Sequence, residues 1–163
     1  MELIEQQIYA QSLTMEKFYH KTDKAGKPYL YHLHKVATMS FYMGWKFASF
    51  VEDDTNFAMK CFIVGMLHDI IEDTNVTDEE LSYFDEDIIS SVRLLTHNNQ
   101  SYIDYFNAII NSGDKVAIIV KYCDACHNSD VTRYDVRTKE LRKRCRKYKQ
   151  RANLLAQTIM EWK

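Results

Sequence analysis

The chain has 163 residues, a length typical of one ordinary domain and long enough to bury a sizeable core. Hydrophobic residues make up 46% of the chain and charged residues 27%, a composition that excludes a disordered tail. The formal net charge is −2, so nothing in the overall charge indicates a nucleic-acid partner. We therefore expect a single folded domain over residues 1–163.

The first residues, MELIEQQIYAQ, do not resemble a secretory signal. Glu2 and Glu5 stand where such a signal is basic, and no uninterrupted apolar core follows them. The most apolar run, CFIVGML, is too short for a membrane span and ends at His68 and Asp69. We expect a cytoplasmic protein without membrane contact, whose four cysteines are buried thiols.

Helices dominate the predicted structure, because one proline and four glycines leave few chain breakers. Apolar residues at helical intervals predict a helix from about Pro28 to Phe50. A third helix follows the candidate cap Thr55 and carries its apolar residues from Phe57 to Ile71.

A capping box, Thr77 to Glu80, predicts a short fourth helix. The next apolar stripe contains Ile88, Val92 and Leu95. Ser101 begins another helix, and Gly113 is placed to end it.

The segment KVAIIVKY has the composition of a strand, but its neighbours are all helical. We therefore expect a buried helix there, with the residues DACHN at its end. A long amphipathic helix is predicted from Leu141 to Trp162. The predicted fold class is all-α.

Polar residues close the apolar third helix in the segment GMLHDIIEDT. On a continuous helix, His68 lies one turn from Glu72, and Asp69 lies one turn from Asp73. One interpretation is a solvated helix end with local salt bridges. The other is a site for a divalent metal, since imidazole and carboxylate ligands suit Mn, Fe or Mg better than a thiolate-bound zinc or a haem.

A metal site needs ligands from elsewhere in the chain. His32 stands near the start of the second helix, and Asp124 stands near the end of the predicted buried helix. His32 alone would be interpreted as an ordinary core or surface histidine. Together with His68 and Asp69, these residues predict a cage of two histidines and two aspartates with open positions for water and substrate.

The segment CDACH matches the C-x-x-C-H pattern that attaches a c-type haem through Cys123 and Cys126. Three fixed residues occur by chance, and covalent haem is normally attached outside the cytoplasm, whereas this chain shows no export signal. We therefore favour the interpretation of KYCDACHN as a source of hard metal ligands.

Four segments occur in an order that resembles a known family. They are PYLYHLHKVA, MLHDIIEDT, SYIDY after Leu95-Thr96, and KYCDACHN. This order resembles the HD-domain superfamily of metal-dependent phosphohydrolases. The finer similarity, over roughly residues 15 to 160, is to the RelA/SpoT-type (p)ppGpp hydrolase domain and its small stand-alone relatives.

The resemblance implies an all-α HD-type helical bundle and a role for each matched residue. His32, His68, Asp69 and Asp124 match the family's metal ligands, for which Mn²⁺ is the expected ion. Glu72 and Asp73 match the acidic pair that positions or activates the attacking water.

The implied substrate contacts are Lys21, Asn128 and Tyr148. Three departures from the family pattern occur near the site. Leu33 replaces a usual proline, Ala125 replaces an arginine and so removes a cation, and a usual Arg-Lys pair is reduced to Lys21, with Lys24 and Lys27 nearby. All four matched metal ligands are retained, whereas the departures concern substrate contacts. The resemblance therefore implies phosphohydrolysis more directly than it implies a particular substrate.

The expected reaction is metal-dependent removal of the 3′-pyrophosphate from (p)ppGpp to give GDP or GTP, with a small-molecule nucleotide as partner. Two alternatives stay open: another HD phosphohydrolase, such as a nucleotidase or an NADPH phosphatase, and a non-catalytic HD-like module. The basic run over residues 139–151 is interpreted as a solvated helix face, so no nucleic-acid partner is expected.

Overall fold

The computed structural model describes residues 1–48 and 54–162. Within these ranges the structure contains helices and no β-strand, apart from an isolated bridge between Thr22 and Pro28. The α-helices are α1 (Leu3–Phe18), α2 (Tyr29–Phe47), α3 (Asp54–Leu67), α4 (Ile70–Asp73), α5 (Asp78–Leu81), α6 (Glu86–Leu95), α7 (Tyr102–Asn111), α8 (Lys115–Ser129) and α9 (Lys139–Met160). The all-α prediction is confirmed.

Helices α2 and α3 pack side by side, and two glycines allow their close approach. A Cβ atom on Gly65 would lie 2.7 Å from the Cα atom of Ala37 on α2, and one on Gly44 would lie 2.9 Å from Ala58 on α3. Larger residues at these two positions would separate the helices. Their spacing matters for the site, because α2 contains the predicted ligand His32 and the predicted ligand His68 directly follows α3.

Helix α8 lies across this pair and also packs along α9. Its apolar residues Ile118, Ile119 and Val120 are buried in the main hydrophobic core, which also includes Leu33, Leu67 and residues from α1, α6, α7 and α9. A small second cluster contains Tyr134, Leu141 and Cys145. The helices therefore form one compact domain.

Several predicted helix ends are confirmed. Thr77 and Glu80 form both bonds of the capping box, and the Ser101 side chain accepts from the backbone N–H of Asp104. Gly113 follows α7 with a positive φ of 73°, which suits glycine at a helix end. The segment KVAIIVKY lies in α8, as expected.

The prediction of one continuous helix through His68 and Asp73 is wrong. Helix α3 ends at Leu67, and Asp69, at φ −105° and ψ 3°, caps the separate short helix α4. At the break, the His68 ring donates to the carbonyl of Gly65 in the last turn of α3. His68 and Asp69 thus lie in a turn between two helices.

Two further predictions concern Phe50 and Thr55. Phe50, the expected end of the second helix, lies outside the described residues. Thr55 falls inside α3 rather than before it, and its side chain is not described. Among the described helices, none combines the length and the hydropathy that a membrane span needs.

Candidate metal centre

Three elements bring the predicted ligands together. His32 lies in the first turn of α2, His68 follows α3 directly, and Asp124 lies near the end of α8. The His32 Nε2 atom lies 3.3 Å from His68 Nε2 and 3.5 Å from Asp124 Oδ1, and the distance from His68 Nε2 to Asp124 Oδ1 is 3.9 Å. All three side chains are buried.

These separations fit a shared divalent cation. Ligand atoms that each lie about 2.1 Å from one ion are at most about 4.2 Å apart, and all three distances are shorter than this limit. Two imidazoles and a carboxylate are also the donor types that such ions accept. The buried group of His32, His68 and Asp124 could therefore hold a metal ion.

Asp69, the fourth predicted ligand, lies beside this group. Its Oδ2 atom is 3.0 Å from His68 Nε2 and 3.6 Å from His32 Nε2, and it also accepts a 2.7 Å hydrogen bond from the Tyr29 hydroxyl. Burial opposes ionisation of Asp69, but the neighbouring His68 imidazole, through its charge and its hydrogen bond, holds the pKa of Asp69 well below the usual value.

The His68 ring is fixed by the last turn of the preceding helix, α3. Its Nδ1–H group donates to the Gly65 carbonyl at 2.8 Å, which directs Nε2 toward the other ligands. Burial disfavours the imidazolium, but the carboxylates of Asp69 and Asp124 outweigh burial and raise the pKa of His68 to about 9. Without a metal, a proton on His68 therefore neutralises part of the carboxylate charge.

Asp124 is held through both of its carboxylate oxygens. Lys121 lies one turn earlier on α8 and donates to Oδ2 at 3.2 Å, and the Asn128 amide donates to Oδ1 at 2.5 Å. Burial raises the cost of this charge, but Lys121 and the two nearby histidines lower the pKa of Asp124. The carboxylate is thus kept ionised in a buried place.

A third histidine contacts the outer side of His32. The Nδ1 atoms of His32 and His127 lie 2.7 Å apart, and the two rings stack with centroids separated by 4.9 Å. Burial and the neighbouring Arg133 guanidinium lower the pKa of His127 to about 3, so this ring is neutral near pH 7.

The ligand group opens into a pocket of about 420 Å³, which is within the usual size range of small-ligand sites. Glu72 and Asp73, the predicted acidic pair, line this pocket on its exposed side. Glu72 Oε2 accepts from the backbone N–H of His97 at 3.0 Å.

Two of the three predicted substrate contacts line the pocket, and the third does not. Asn128 and Tyr148 line the pocket, although the Asn128 amide is bonded to Asp124. Lys21 instead donates to the backbone carbonyl of Asp73. Lys24, three residues later, lies on the pocket wall with an exposed side chain.

Four residues of the site were not among the assigned site residues, although the first interpretation of KYCDACHN counted His127 among its hard ligands: Tyr29, Lys121, His127 and Arg133. Tyr29 precedes His32 by one helical turn, Lys121 precedes Asp124 by one turn, and His127 follows Asp124 by one turn, so helical spacing from each ligand could have identified them. No such local signal exists for Arg133, which reaches Asp23 on the loop before α2.

The two cysteines of the C-x-x-C-H pattern lie on α8. Both are free thiols, and the side chain of Cys123 is fully buried in the main core. A covalent bond from Cys123 to a porphyrin would require this part of the core to open. The geometry therefore favours KYCDACHN as a source of Asp124 rather than as a haem attachment site.

Comparison with protein-family models gives no match for this chain. The guanosine-3′,5′-bis(diphosphate) 3′-pyrophosphohydrolase of Borreliella burgdorferi is 33% identical over an alignment of 122 residues, which covers 68% of this chain. The chain spans 16% of the length of that relative. The chain is therefore related to a segment of a pyrophosphohydrolase of this kind.

Proposed function

We propose that the chain is an HD-type, Mn²⁺-dependent hydrolase that removes the 3′-pyrophosphate from (p)ppGpp and leaves GDP or GTP. The observation that carries the proposal is the convergence of His32, His68 and Asp124 from three separate elements at the base of an open pocket. The similarity to a (p)ppGpp pyrophosphohydrolase supports the choice of substrate.

In this proposal, His32, His68, Asp69 and Asp124 hold the ion. A divalent metal there supplies a Lewis acid that activates water and neutralises charge on a phosphate oxygen. The protein fixes the ligands beforehand, because Gly65 orients His68, and Lys121 and Asn128 hold Asp124. Such support makes the site rigid before substrate arrives.

Glu72 and Asp73 act on the attacking water. Both line the pocket beside the ligand group, and a carboxylate there can orient water and accept its proton. The bond from the His97 backbone N–H to Oε2 fixes the Glu72 side chain and leaves its other oxygen available.

The remaining walls suit a nucleotide. Lys24 offers a cation to the phosphates at one side of the pocket, and Tyr102 and Tyr148 offer aromatic surface to a base. The Arg151 guanidinium lies 3.5 Å from the centre of the Tyr102 ring and braces this wall from outside the pocket.

A substrate panel tests the proposal. Mn²⁺-loaded protein is incubated with ppGpp, pppGpp, other nucleotides and NADPH, and released phosphate and pyrophosphate are measured separately. We expect pyrophosphate from ppGpp and pppGpp, and none after chelation of the metal. Phosphate from NADPH or a mononucleotide alone would identify another HD phosphohydrolase, and no product from any substrate would identify a non-catalytic module.

A further inference from the structure

We propose that His127 is a positioning residue for His32: its Nδ1 atom accepts the Nδ1–H proton of His32 and thereby keeps the lone pair of His32 Nε2 directed into the metal centre. This inference deepens the proposed function and rests on its metal centre. His127 belongs to none of the predicted site residues, and it acts through His32 rather than on the ion.

The contact itself is short and buried. The two Nδ1 atoms are 2.7 Å apart, within hydrogen-bonding distance, and the two residues are only 4% and 6% exposed. On the other side of the His32 ring, Nε2 faces His68 Nε2 and Asp124 Oδ1. The two ring nitrogens of His32 therefore face different partners.

This arrangement restricts the tautomer of His32. A neutral imidazole carries one N–H group, so one nitrogen donates and the other accepts. If His127 donated to His32 Nδ1, the proton of neutral His32 would be on Nε2, where it would block a metal. Only the opposite direction, with His32 donating and His127 accepting, leaves His32 Nε2 free to bind an ion.

The position of His127 is itself secured. Arg133 donates from Nη1 to the backbone carbonyl of His127 at 3.0 Å, and its other nitrogen pairs with Asp23. These bonds join the last turn of α8 to the loop that precedes α2. His127 is thus held in place by contacts that do not involve the metal ligands.

Three variants separate hydrogen bonding from packing. His127→Phe keeps a ring of similar size but has no acceptor, whereas His127→Asn is smaller and retains a polar group at the position of Nδ1. His34→Gln is the matched control, since His34 is exposed on the same helix as His32. Metal-free and Mn²⁺-loaded forms of each protein are compared by calorimetric titration and by thermal unfolding.

We expect His127→Phe to bind Mn²⁺ roughly 10- to 100-fold more weakly than the parent, the usual effect of losing a partner of a metal-bound histidine. His127→Asn should stay within about 3-fold of the parent, since its amide oxygen accepts the same bond, and His34→Gln should match the parent. Equal affinity of the Phe variant and the parent would overturn the inference. Equal losses in the Phe and Asn variants would also overturn it, because they would indicate a packing role.

The tautomer can be read without any metal or substrate. In ¹⁵N-labelled metal-free protein near pH 8, the ring-nitrogen shifts should identify His32 as protonated on Nδ1 and His127 as protonated on Nε2. The reverse assignment would overturn the inference even if His127→Phe failed to fold. If the parent binds no Mn²⁺ while His32 has the expected tautomer, the metal centre fails and the positioning contact stands.

Discussion

The Nε2 atoms of His32 and His68 lie 3.3 Å apart, although 36 residues separate the two histidines in the chain. Both rings are fixed from behind, His32 by His127 and His68 by the Gly65 carbonyl. The two buried imidazole nitrogens face each other with the Asp124 carboxylate beside them. A metal cation bound there could take the place of the proton on His68.

We expect His68→Ala and Asp124→Ala each to abolish Mn²⁺ binding, because each removes one of three buried ligand atoms. The measurement is calorimetric titration together with metal content after dialysis, with about one ion per chain expected for the parent. His34→Ala, on the exposed face of α2, serves as the control. Undiminished binding in both ligand variants would exclude this site.

Gly65→Ala tests the close approach of α2 and α3. In an ordinary helix this change is stabilising by about 1 kcal/mol, but here the new Cβ would lie 2.7 Å from Ala37 Cα. We expect a loss of about 1–3 kcal/mol in the free energy of unfolding, together with weaker Mn²⁺ binding, because His68 directly follows α3.

Chemical denaturation measures the first effect, and Asn153→Ala on the exposed side of α9 is the control. A stabilised Gly65→Ala variant with unchanged metal affinity would mean that the two helices can separate without cost to the site.

The stability of the metal-free protein should fall as pH rises from about 6.5 to 9. The carboxylates of Asp69 and Asp124 outweigh burial and raise the pKa of His68 from its ordinary value of 6.5 to about 9. A group with a raised pKa in the folded state contributes its stability fully below its unfolded pKa and loses it as pH rises through the folded pKa. The loss should be on the order of 3 kcal/mol.

Urea denaturation at several pH values in the presence of a chelator measures this dependence. His68→Gln lacks the titrating group, so its free energy of unfolding should vary less over the same range. The parent and the variant would have the same pH profile if the proton were bound elsewhere. Mn²⁺ should oppose the parent's trend, since metal binding requires deprotonated ligands.

The helical architecture could be predicted because it depends on local patterns, whereas the meeting of His32, His68 and Asp124 was expected from the order of segments that resembles a known family. Apolar periodicity predicted α2, α8 and α9 to within a few residues of their described bounds. The break after Leu67 was not predicted, because the bond from the His68 ring to the Gly65 carbonyl leaves no trace in the apolar periodicity.

Two other contacts between distant segments could not be predicted from the sequence. The pairing of His32 with His127 joins residues 95 positions apart, and the pairing of Arg133 with Asp23 spans 110 positions. In neither pair does the sequence around one residue contain a pattern that identifies its partner. Lys21 illustrates the same limit, since the sequence indicated a cation near the substrate but not its bond to the Asp73 carbonyl.

Removal of Arg133 should destabilise the protein strongly. The side chains of Arg133 and Asp23 are only 9% and 5% exposed, so Arg133→Met leaves a buried carboxylate without its cation, at a cost of about 3–5 kcal/mol. Adding Asp23→Asn should recover part of the loss, because the amide oxygen can still accept from the backbone N–H groups of Ala25 and Lys27.

Denaturation of the single and double variants gives the coupling between the two residues. Arg93→Met is the control, since Arg93 is 54% exposed and its ion pairs are long, so its loss should cost at most about 1 kcal/mol. A double variant less stable than Arg133→Met alone would show that the ionised carboxylate of Asp23 is favourable without its partner.

The double variant Glu72→Gln, Asp73→Asn tests the proposed chemistry. Both side chains are exposed in the pocket beside the ligand group and belong to the separate helix α4. After Glu72→Gln, the new amide oxygen can still accept the His97 N–H, and the bond from Lys21 ends on the backbone of Asp73, so the fold and the bound metal should be retained. What is lost is the capacity of a carboxylate to take a proton from water.

We expect ppGpp hydrolysis to fall by a factor on the order of 100 or more, the usual scale of general acid–base assistance. The measurement is pyrophosphate release by protein of verified Mn²⁺ content. The matched control, Asp78→Asn with Glu79→Gln, removes two exposed carboxylates of α5 that do not line the pocket. It should leave the rate within about 2-fold, since such surface changes have small effects. Hydrolysis at the parent rate in the Glu72 and Asp73 variant would mean that this pair is only a solvated helix end, and the water would then have to be activated by another group in the pocket.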